Sequence, residues 1–415
     1  MNILLINHYA GSPRHGMEYR AYYLAREWVR LGHRVQIVAS AQSHVRAWQP
    51  QLSGLNRLDE TIDDIQYTWF ETPAYSGNDI GRVKNIASFV SRLYRDSGLL
   101  ARSFKPDVVI ASSTYPMDIW PAHRISKIAR AVLVFEVHDL WPLSPMELGG
   151  MSKWHPFIMM VQLAEDYAYR HADVVVSMLP KVREYMESRG MAPHKLHIVP
   201  NGIDPAEWQD DSPELQDAAK EMLSTLKAQG MPIIGYAGTH GVANALDTFL
   251  DAVKLLQTEN VAFVLVGGGP EKAALQQRVQ SERMENIWFI DPVSKPQIPA
   301  LLQWFDVAYI GLQRQPLFRF GISPNKLMDY MMAARPVLMA IDAGNDPVGE
   351  AGCGLTVNPE DPQAVVQGIR SLLALSEEER KAMGQRGRAY ILGNHTYPVL
   401  AQRIIAACNQ SWSFV

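Results

Sequence analysis

The strongest constraint on this chain is a short apolar run that keeps returning, each time followed by a helical stretch. Residues 2–7 read as a buried-type strand, and the loop Ala10–Gly16 leads into a helical pattern from about 17 to 31. Gly32-His33 ends that pattern and 34–39 is the next apolar run. Two strands joined through a helix need a crossover connection, so they are parallel and helices cover the sheet. The pattern repeats. A short strand is expected at 65–69, a helix over 79–104 and a strand at 107–110. A helix from about 118, a strand at 132–137 and a helix at 152–171 follow, then a strand at 173–177, a helix near 181–189 and a strand at 196–199. This half is a doubly wound α/β domain.

The alternation then breaks and restarts. Pro200-Asn201-Gly202-Ile203-Asp204-Pro205 is turn chemistry, and the polar stretch 209–214 follows it. The domains are expected at 1–204 and 205–392. Strands are expected at 232–236, 261–266, 287–290, 307–310, 336–341 and 355–357, with helices near 244–258, 271–284, 296–303, 323–333, 361–373 and 377–391. The tail 393–415 carries one more helix near 396–410, expected to pack back on the first domain. Two doubly wound halves place a natural ligand cleft at the carboxyl ends of their strands.

Composition excludes several function classes. The chain has 415 residues, 47% of them hydrophobic and 20% charged, as in ordinary globular proteins. A net charge of −4 gives nucleic acid no electrostatic footing. Cys353 and Cys408 lie far apart, with neither metal spacing nor a disulfide framework, which fits a reducing cytoplasm. Residues 2–7 lack a basic flank and read as a strand, and no apolar run has bilayer length. A cytoplasmic protein, soluble or peripheral, is expected. Arg82, Lys84, Arg92, Arg95, Arg102 and Lys105 dot one helical region, and Trp154, Phe157, Ile158, Met159 and Met160 cluster further on. These either lie on the anionic inner face of a membrane or are a solvated helix face and a core-facing stripe.

Several loops could carry chemistry. Gly321-Ile322-Ser323-Pro324-Asn325-Lys326-Leu327-Met328-Asp329-Tyr330 reads as a loop turning into a helix, with Ser323 as N-cap and Pro324 at the first helical position. Its free N–H groups and dipole suit an anion. Lys326 and Asp329 share a face one turn apart, either gripping a nucleotide diphosphate and its ribose or forming an ordinary ion pair. Gly238-Thr239-His240-Gly241 either surrounds a phosphate or makes a turn. Gly267-Gly268-Gly269-Pro270 and Gly11–Gly16 each either bring backbone close to a ligand or merely connect strand to helix. His138-Asp139 ends the strand 132–137, where a histidine either meets substrate or is structural. No second ligand stands at metal spacing near it.

In order and spacing these pieces resemble the family 4 retaining glycosyltransferases. The resemblance rests on Gly16-Met17-Glu18-Tyr19-Arg20, Gly32-His33-Arg34-Val35, Phe135–Pro142, Pro200–Asp204, Tyr236-Ala237-Gly238, Val266–Pro270, Ser323–Tyr330 and Arg335-Pro336-Val337. It covers almost the entire chain. Phe135–Pro142 and Ser323–Tyr330 look most like the branch found in bacterial O-antigen, lipopolysaccharide and exopolysaccharide synthesis. The resemblance implies the GT-B fold, two facing Rossmann-like domains with a cleft between them. It also implies transfer of a sugar, with retention and without metal or other cofactor, from a nucleoside diphosphate sugar to a saccharide or lipid-linked saccharide acceptor. By it, Lys326 binds the donor diphosphate and Asp329 the ribose. Gly16 and the Gly238, Thr239, His240, Gly241 loop lie near the phosphates. Backbone at Asp291 to Val293 reads the base, and His138 lies near the transferred sugar or acceptor, so His138 and Lys326 are the catalytic candidates.

Two departures stand out. The first acid of the family's E-x7-E motif falls at Gly321, so sugar contacts are expected from backbone N–H groups of Phe320, Gly321, Ile322 and Ser323. The usual Arg and Lys after strand 232–236 are absent, so Lys326 holds the phosphate charge with help from Arg20, Arg314 or Arg319. A nucleotide-sugar 2-epimerase and a non-catalytic nucleotide-sugar-binding partner are the rival readings.

Overall fold

The computed structural model describes residues 1–16, 19–77, 80–208 and 213–412. Met17, Glu18 and most of the polar stretch at 209–214 lie outside them. The chain divides into two compact units, Met1–Asn201 with Tyr397–Val415, and Gly202–Thr396. The dividing points fall a few residues from the expected 204 and 392.

The first unit holds β1 (Asn2–Ile6), β2 (Arg34–Ser40), β3 (Arg57–Ile62), β4 (Ile65–Phe70), β5 (Val108–Ala111), β6 (Val132–Val137), β7 (Val174–Ser177) and β8 (Leu196–Ile198). They form one sheet in the order β3-β4-β2-β1-β5-β6-β7-β8. All neighbours are parallel except β3 and β4. β3 is not expected from the sequence, because Arg57, Asp59 and Glu60 do not read as core. It is an edge strand, and its two-residue turn puts Asp63 and Asp64 at φ 50° and 63°, the twist that hairpins favour. The inner strands β1, β2, β5, β6 and β7 are apolar because helices cover both faces.

On one face, helix Tyr19–Arg30 packs with helix Tyr397–Trp412. The Trp28 Nε1–H donates to the Ala401 carbonyl at 3.1 Å, and Tyr23 stacks on Tyr397 at 4.7 Å. Helices Ile80–Phe104, Ile119–Ala129 and Pro156–His171 form a neighbouring layer. The last begins four residues later than expected, because Pro156 fills its first position and His155 caps it by accepting from the Phe157 N–H. The apolar cluster expected around it divides. Ile158 is buried and Phe157 is half-buried against Trp141, whereas Trp154, Met159 and Met160 are exposed, as is Leu163. No helix among the described residues is long and apolar enough to cross a membrane.

The second unit has β9 (Ile233–Ala237), β10 (Ala262–Val266), β11 (Ile287–Ile290), β12 (Val307–Gly311), β13 (Val337–Ala340) and β14 (Gly354–Val357), all parallel, in the order β11-β10-β9-β12-β13-β14. The order reverses between β9 and β12. Their carboxyl ends there are the switch point where such sheets bind ligands. Separate apolar cores fill the two faces. The helix Asp217–Ala228 is an addition to the elements expected from the sequence.

Candidate functional site

At the carboxyl end of β9 the chain enters Gly238, and at the end of β10 it enters Gly267. The two loops interlock. The Gly238 N–H donates to the Val266 carbonyl at 2.9 Å, the His240 N–H to Gly268 at 2.8 Å, and the Glu271 N–H to His240 at 3.0 Å. A Cβ at Gly267 would stand 2.0 Å from the Gly238 carbonyl oxygen, and one at Gly269 would stand 2.4 Å from that of His240. Glycine is therefore needed at both, for close backbone approach and not only for the turn. Gly268 in turn abuts Pro292, so the Asp291–Val293 loop joins the same edge.

The helix Asn325–Met332 is pinned beside these loops. The Tyr330 hydroxyl accepts from the Ala237 N–H at 2.8 Å and donates to the Ala237 carbonyl at 3.1 Å. One turn earlier, the Lys326 ammonium donates to the Tyr236 hydroxyl at 2.9 Å and to Asn244 Oδ1 at 2.6 Å. Asn244 Nδ2 and the Tyr236 hydroxyl both donate to the Thr239 carbonyl. Gly238 makes room for this cation: a Cβ there would lie 3.1 Å from Lys326 Nζ. Both hydrogen-bond partners of the ammonium are neutral, and burial lowers its pKa to about 8. A half-buried ammonium held by neutral acceptors gains from an anion, since charge is costly to bury unpaired.

Asp329 lies one turn on. No ion pair joins it to Lys326; the charges it feels are Lys295 and Glu207, themselves paired at 2.9 Å. Its carboxyl makes no hydrogen bond to any described residue, and burial pushes its pKa up to about 7. It is an acceptor without donors, next to a cation without an anion.

The approach to this helix differs from expectation. Pro324, not Ser323, occupies the N-cap position, and Asn325 is the first helical residue. The backbone N–H groups expected to reach a sugar are partly engaged. That of Gly321 donates to the Phe318 carbonyl at 2.8 Å and that of Ile322 to Asn345 Oδ1 at 2.8 Å. Asn345 Nδ2 also donates to the Ile322 carbonyl, clamping that residue. Phe320 and Ile322 are buried. Gly321 has φ 99°, a region that side-chain-bearing residues avoid. A glutamate at this position would be strained in this backbone conformation.

The side chains of the other expected residues differ in burial and partners. The His240 ring is fully buried near Tyr236 and Phe289, and neither ring nitrogen has a hydrogen-bond partner. Burial, then the charges of Lys272 and Lys326, lower its pKa to about 4. It is a neutral packing residue whose backbone, not its ring, serves the loop. Thr239 is exposed, Asp291 is exposed and paired with Lys272 at 2.6 Å, and Val293 packs half-buried against the core. Arg314 pairs with Asp342 at 3.0 Å, and Arg319 lies over the Phe320 ring.

His138 and Gly16 belong to the first unit. Gly16 is left-handed at φ 61°. His138 Nε2 stands 2.9 Å from Ser112 Oγ and 3.5 Å from Glu136 Oε2. The single Ser112 hydroxyl proton goes to Glu136 at 2.6 Å. Nε2 therefore carries the proton toward Ser112, leaving Nδ1 outside the network. Burial alone would raise the Glu136 pKa. The Arg20 guanidinium outweighs it, with hydrogen bonds from His138 and Ser112, and holds the carboxyl well below the usual range. Arg20 is itself buried, donating to Glu136 at 2.9 Å and to the carbonyls of Val199 and Pro200. Its guanidinium is thus engaged by Glu136, the acid that faces His138, and by two carbonyls. Sequence reasoning missed Tyr236, Asn244, Tyr330 and Asn345 as site residues. Tyr236 and Tyr330 sat inside motifs, but their contacts, like that of Asn244, span more than eighty positions.

Comparison with known proteins decides the family. The family model described as "Glycosyl transferase 4-like domain" matches residues 15–202, and "Glycosyl transferases group 1" matches 231–375. Together they span most of the chain. It belongs to the family 4 glycosyltransferases. This glycosyltransferase is 24% identical over 376 residues to WcaI of Escherichia coli, whose name assigns it to colanic acid biosynthesis; the match covers 86% of this chain and 88% of that one. It is 23% identical to the D-rhamnosyltransferase WbpZ of Pseudomonas aeruginosa, over 80% and 88% of the two chains. Among solved structures, sucrose-phosphate synthase from Thermosynechococcus elongatus superposes with TM-score 0.71 at 15% identity over the full length of both chains. HepE of Anabaena, in complex with UDP and glucose, gives 0.65 at 15% identity, over 98% and 99%. These likenesses show the GT-B fold.

Proposed function

We propose that this glycosyltransferase moves a sugar, with retention and without a metal, from a nucleoside diphosphate sugar to a hydroxyl of a lipid-linked saccharide at the inner membrane face, in bacterial surface polysaccharide assembly of the O-antigen and lipopolysaccharide type. The observation that carries the donor part is the placement of Lys326 and Asp329 side by side but unpaired. One is a half-buried ammonium among neutral partners, the other a carboxyl with no hydrogen-bond donor, one helical turn apart. A diphosphate supplies the missing anion and a ribose the missing hydroxyl donors. The name of WcaI, which assigns it to colanic acid biosynthesis, supports polysaccharide synthesis, and that of WbpZ supports sugar transfer.

In the reaction the bond from the anomeric carbon to the diphosphate oxygen breaks and a bond from the acceptor oxygen forms on the same face. The acceptor proton passes to the departing phosphate oxygen. Lys326 and the N–H groups opening its helix stabilise the charge that develops there. His138 Nδ1, with its tautomer set by Ser112 and Glu136, is the nitrogen available to the sugar or acceptor.

The test is incubation of the purified chain with uridine and guanosine diphosphate sugars, with and without lipid-linked saccharide, followed by NMR of the product's anomeric configuration. Transfer that needs the acceptor and keeps the donor's configuration supports the reading. Interconversion of two donors without acceptor favours the epimerase, and donor binding without turnover on any lipid acceptor favours the non-catalytic partner.

A further inference from the structure

A second basic site lies in the same unit, at the opposite edge of the sheet. Asp306 immediately precedes β12, and Arg335-Pro336 immediately precede β13, so this edge is formed by the amino ends of the strands. A cavity of about 390 Å³ opens there, within the size range of small-ligand sites. The helix Glu377–Asn394 forms one wall. It presents Arg380, Lys381, Gln385 and Arg388 to the cavity, all on one stripe at helical spacing. Its position is fixed, because a Cβ at Gly384 would stand 1.9 Å from the Ala334 carbonyl oxygen.

Four cations meet in this cavity, in a chain of net charge −4. Among the described residues, none of them has a carboxylate partner in an ion pair. Arg335 donates to the Phe305 carbonyl at 3.1 Å and to the Gln303 side chain, while its Nε is buried with no hydrogen-bond partner. Arg380 donates to the carbonyls of Leu373 and Leu375. Arg388, half-buried, and Lys381, exposed, make no hydrogen bond or ion pair with any described residue. The acids of the lining are two. Asp306 faces Arg335 but is already tied to Lys227 at 2.5 Å, and Glu377 sits exposed. Burial lowers the Arg335 pKa despite Asp306. An unsatisfied buried guanidinium N–H beside three further cations calls for an acceptor with several charged oxygens.

We infer that the cavity bounded by Arg335, Arg380, Lys381 and Arg388 binds a small phosphate-bearing molecule, at a site separate from that of Lys326. The volume suits a diphosphate or a phosphorylated monosaccharide better than a polymer. The site closes on the Ala333–Arg335 turn that ends the helix carrying Lys326, so the two sites share one rigid element.

Inorganic pyrophosphate is the probe, titrated by calorimetry at constant ionic strength into the Lys326→Ala chain, which removes the candidate donor cation. Saturable binding is expected, weakened at least about tenfold when Lys381→Gln and Arg388→Gln are added, since charge-assisted contacts are the strong ones. Lys381→Gln alone, at an exposed position, gives a smaller loss and serves if the combined variant fails to fold. Equal affinity with and without these substitutions overturns the inference. So does a failure of pyrophosphate to saturate while phosphatidylglycerol vesicles bind through the same residues, which marks a surface contact instead. Because Lys326 is absent throughout, neither result bears on the donor site.

Discussion

Replacing Asp329 by Asn tests whether its carboxyl is kept for a ligand. Burial lifts its pKa to about 7, so the folded state holds a proton over a range in which the unfolded chain has released it. Its stability is therefore greatest below the unfolded carboxylate value and declines as pH rises toward about 7. A tenfold change in acidity between folded and unfolded states is worth ~1.4 kcal/mol, so above neutral pH the buried carboxylate costs the fold as much as ~4 kcal/mol. Asp329→Asn removes that cost. It should raise the melting temperature at about pH 8 and leave it nearly unchanged at about pH 3, where Asp329 is largely neutral in both states. Donor binding should move the other way. Hydrogen bonds to a charged group are worth ~1.5–3 kcal/mol, which predicts a loss of about tenfold to a hundredfold in donor affinity. In the wild type, affinity should also weaken as pH falls below about 7, because ribose hydroxyls donate to the carboxylate and not to the acid; in the variant this dependence should flatten. Thermal melts and donor titrations across pH read both effects. A variant no more stable than wild type at about pH 8, with unchanged donor affinity, refutes the reasoning.

Two further substitutions probe the backbone around the site. Gly267→Ala puts a Cβ 2.0 Å from the Gly238 carbonyl oxygen and should cost ~1–3 kcal/mol, read by denaturant unfolding, with donor binding lost in the molecules that remain folded. Gly321→Glu would restore an acid to the motif at φ 99°; strain of ~1–3 kcal/mol should make it less stable and no more active, and an increase in transfer rate would contradict that account.

The fold was legible because parallel strands covered on both faces must be nearly continuous apolar runs, and β1, β2, β6, β7, β10 and β13 are. β3 was hidden because a charged edge strand obeys no such rule. At the site, the glycine loops and the Lys326–Asp329 spacing were visible because they are local. What they contact was not. Tyr236 and Asn244 reach Lys326 across more than eighty positions, and Tyr330 fastens its helix to Ala237 across ninety-three. The Ser323 cap failed for a related reason. A Ser-Pro pair fits a helix start in either of two registers, and the helix begins at Asn325. Arg20 reads as a free cation near a glycine loop until Glu136, one hundred and sixteen positions away, claims it.

Whether Lys326 provides the charge that holds the donor diphosphate is tested most directly by calorimetric titration. Uridine and guanosine diphosphate sugars are titrated into the wild-type chain and into Lys326→Ala, near pH 7. Saturable binding of at least one donor by the wild type is expected, weakened about tenfold or more by the substitution. Wild-type affinity should also fall as pH rises past about 8 and the ammonium is lost. Equal affinity of the two proteins for the same donor would contradict the role given to Lys326.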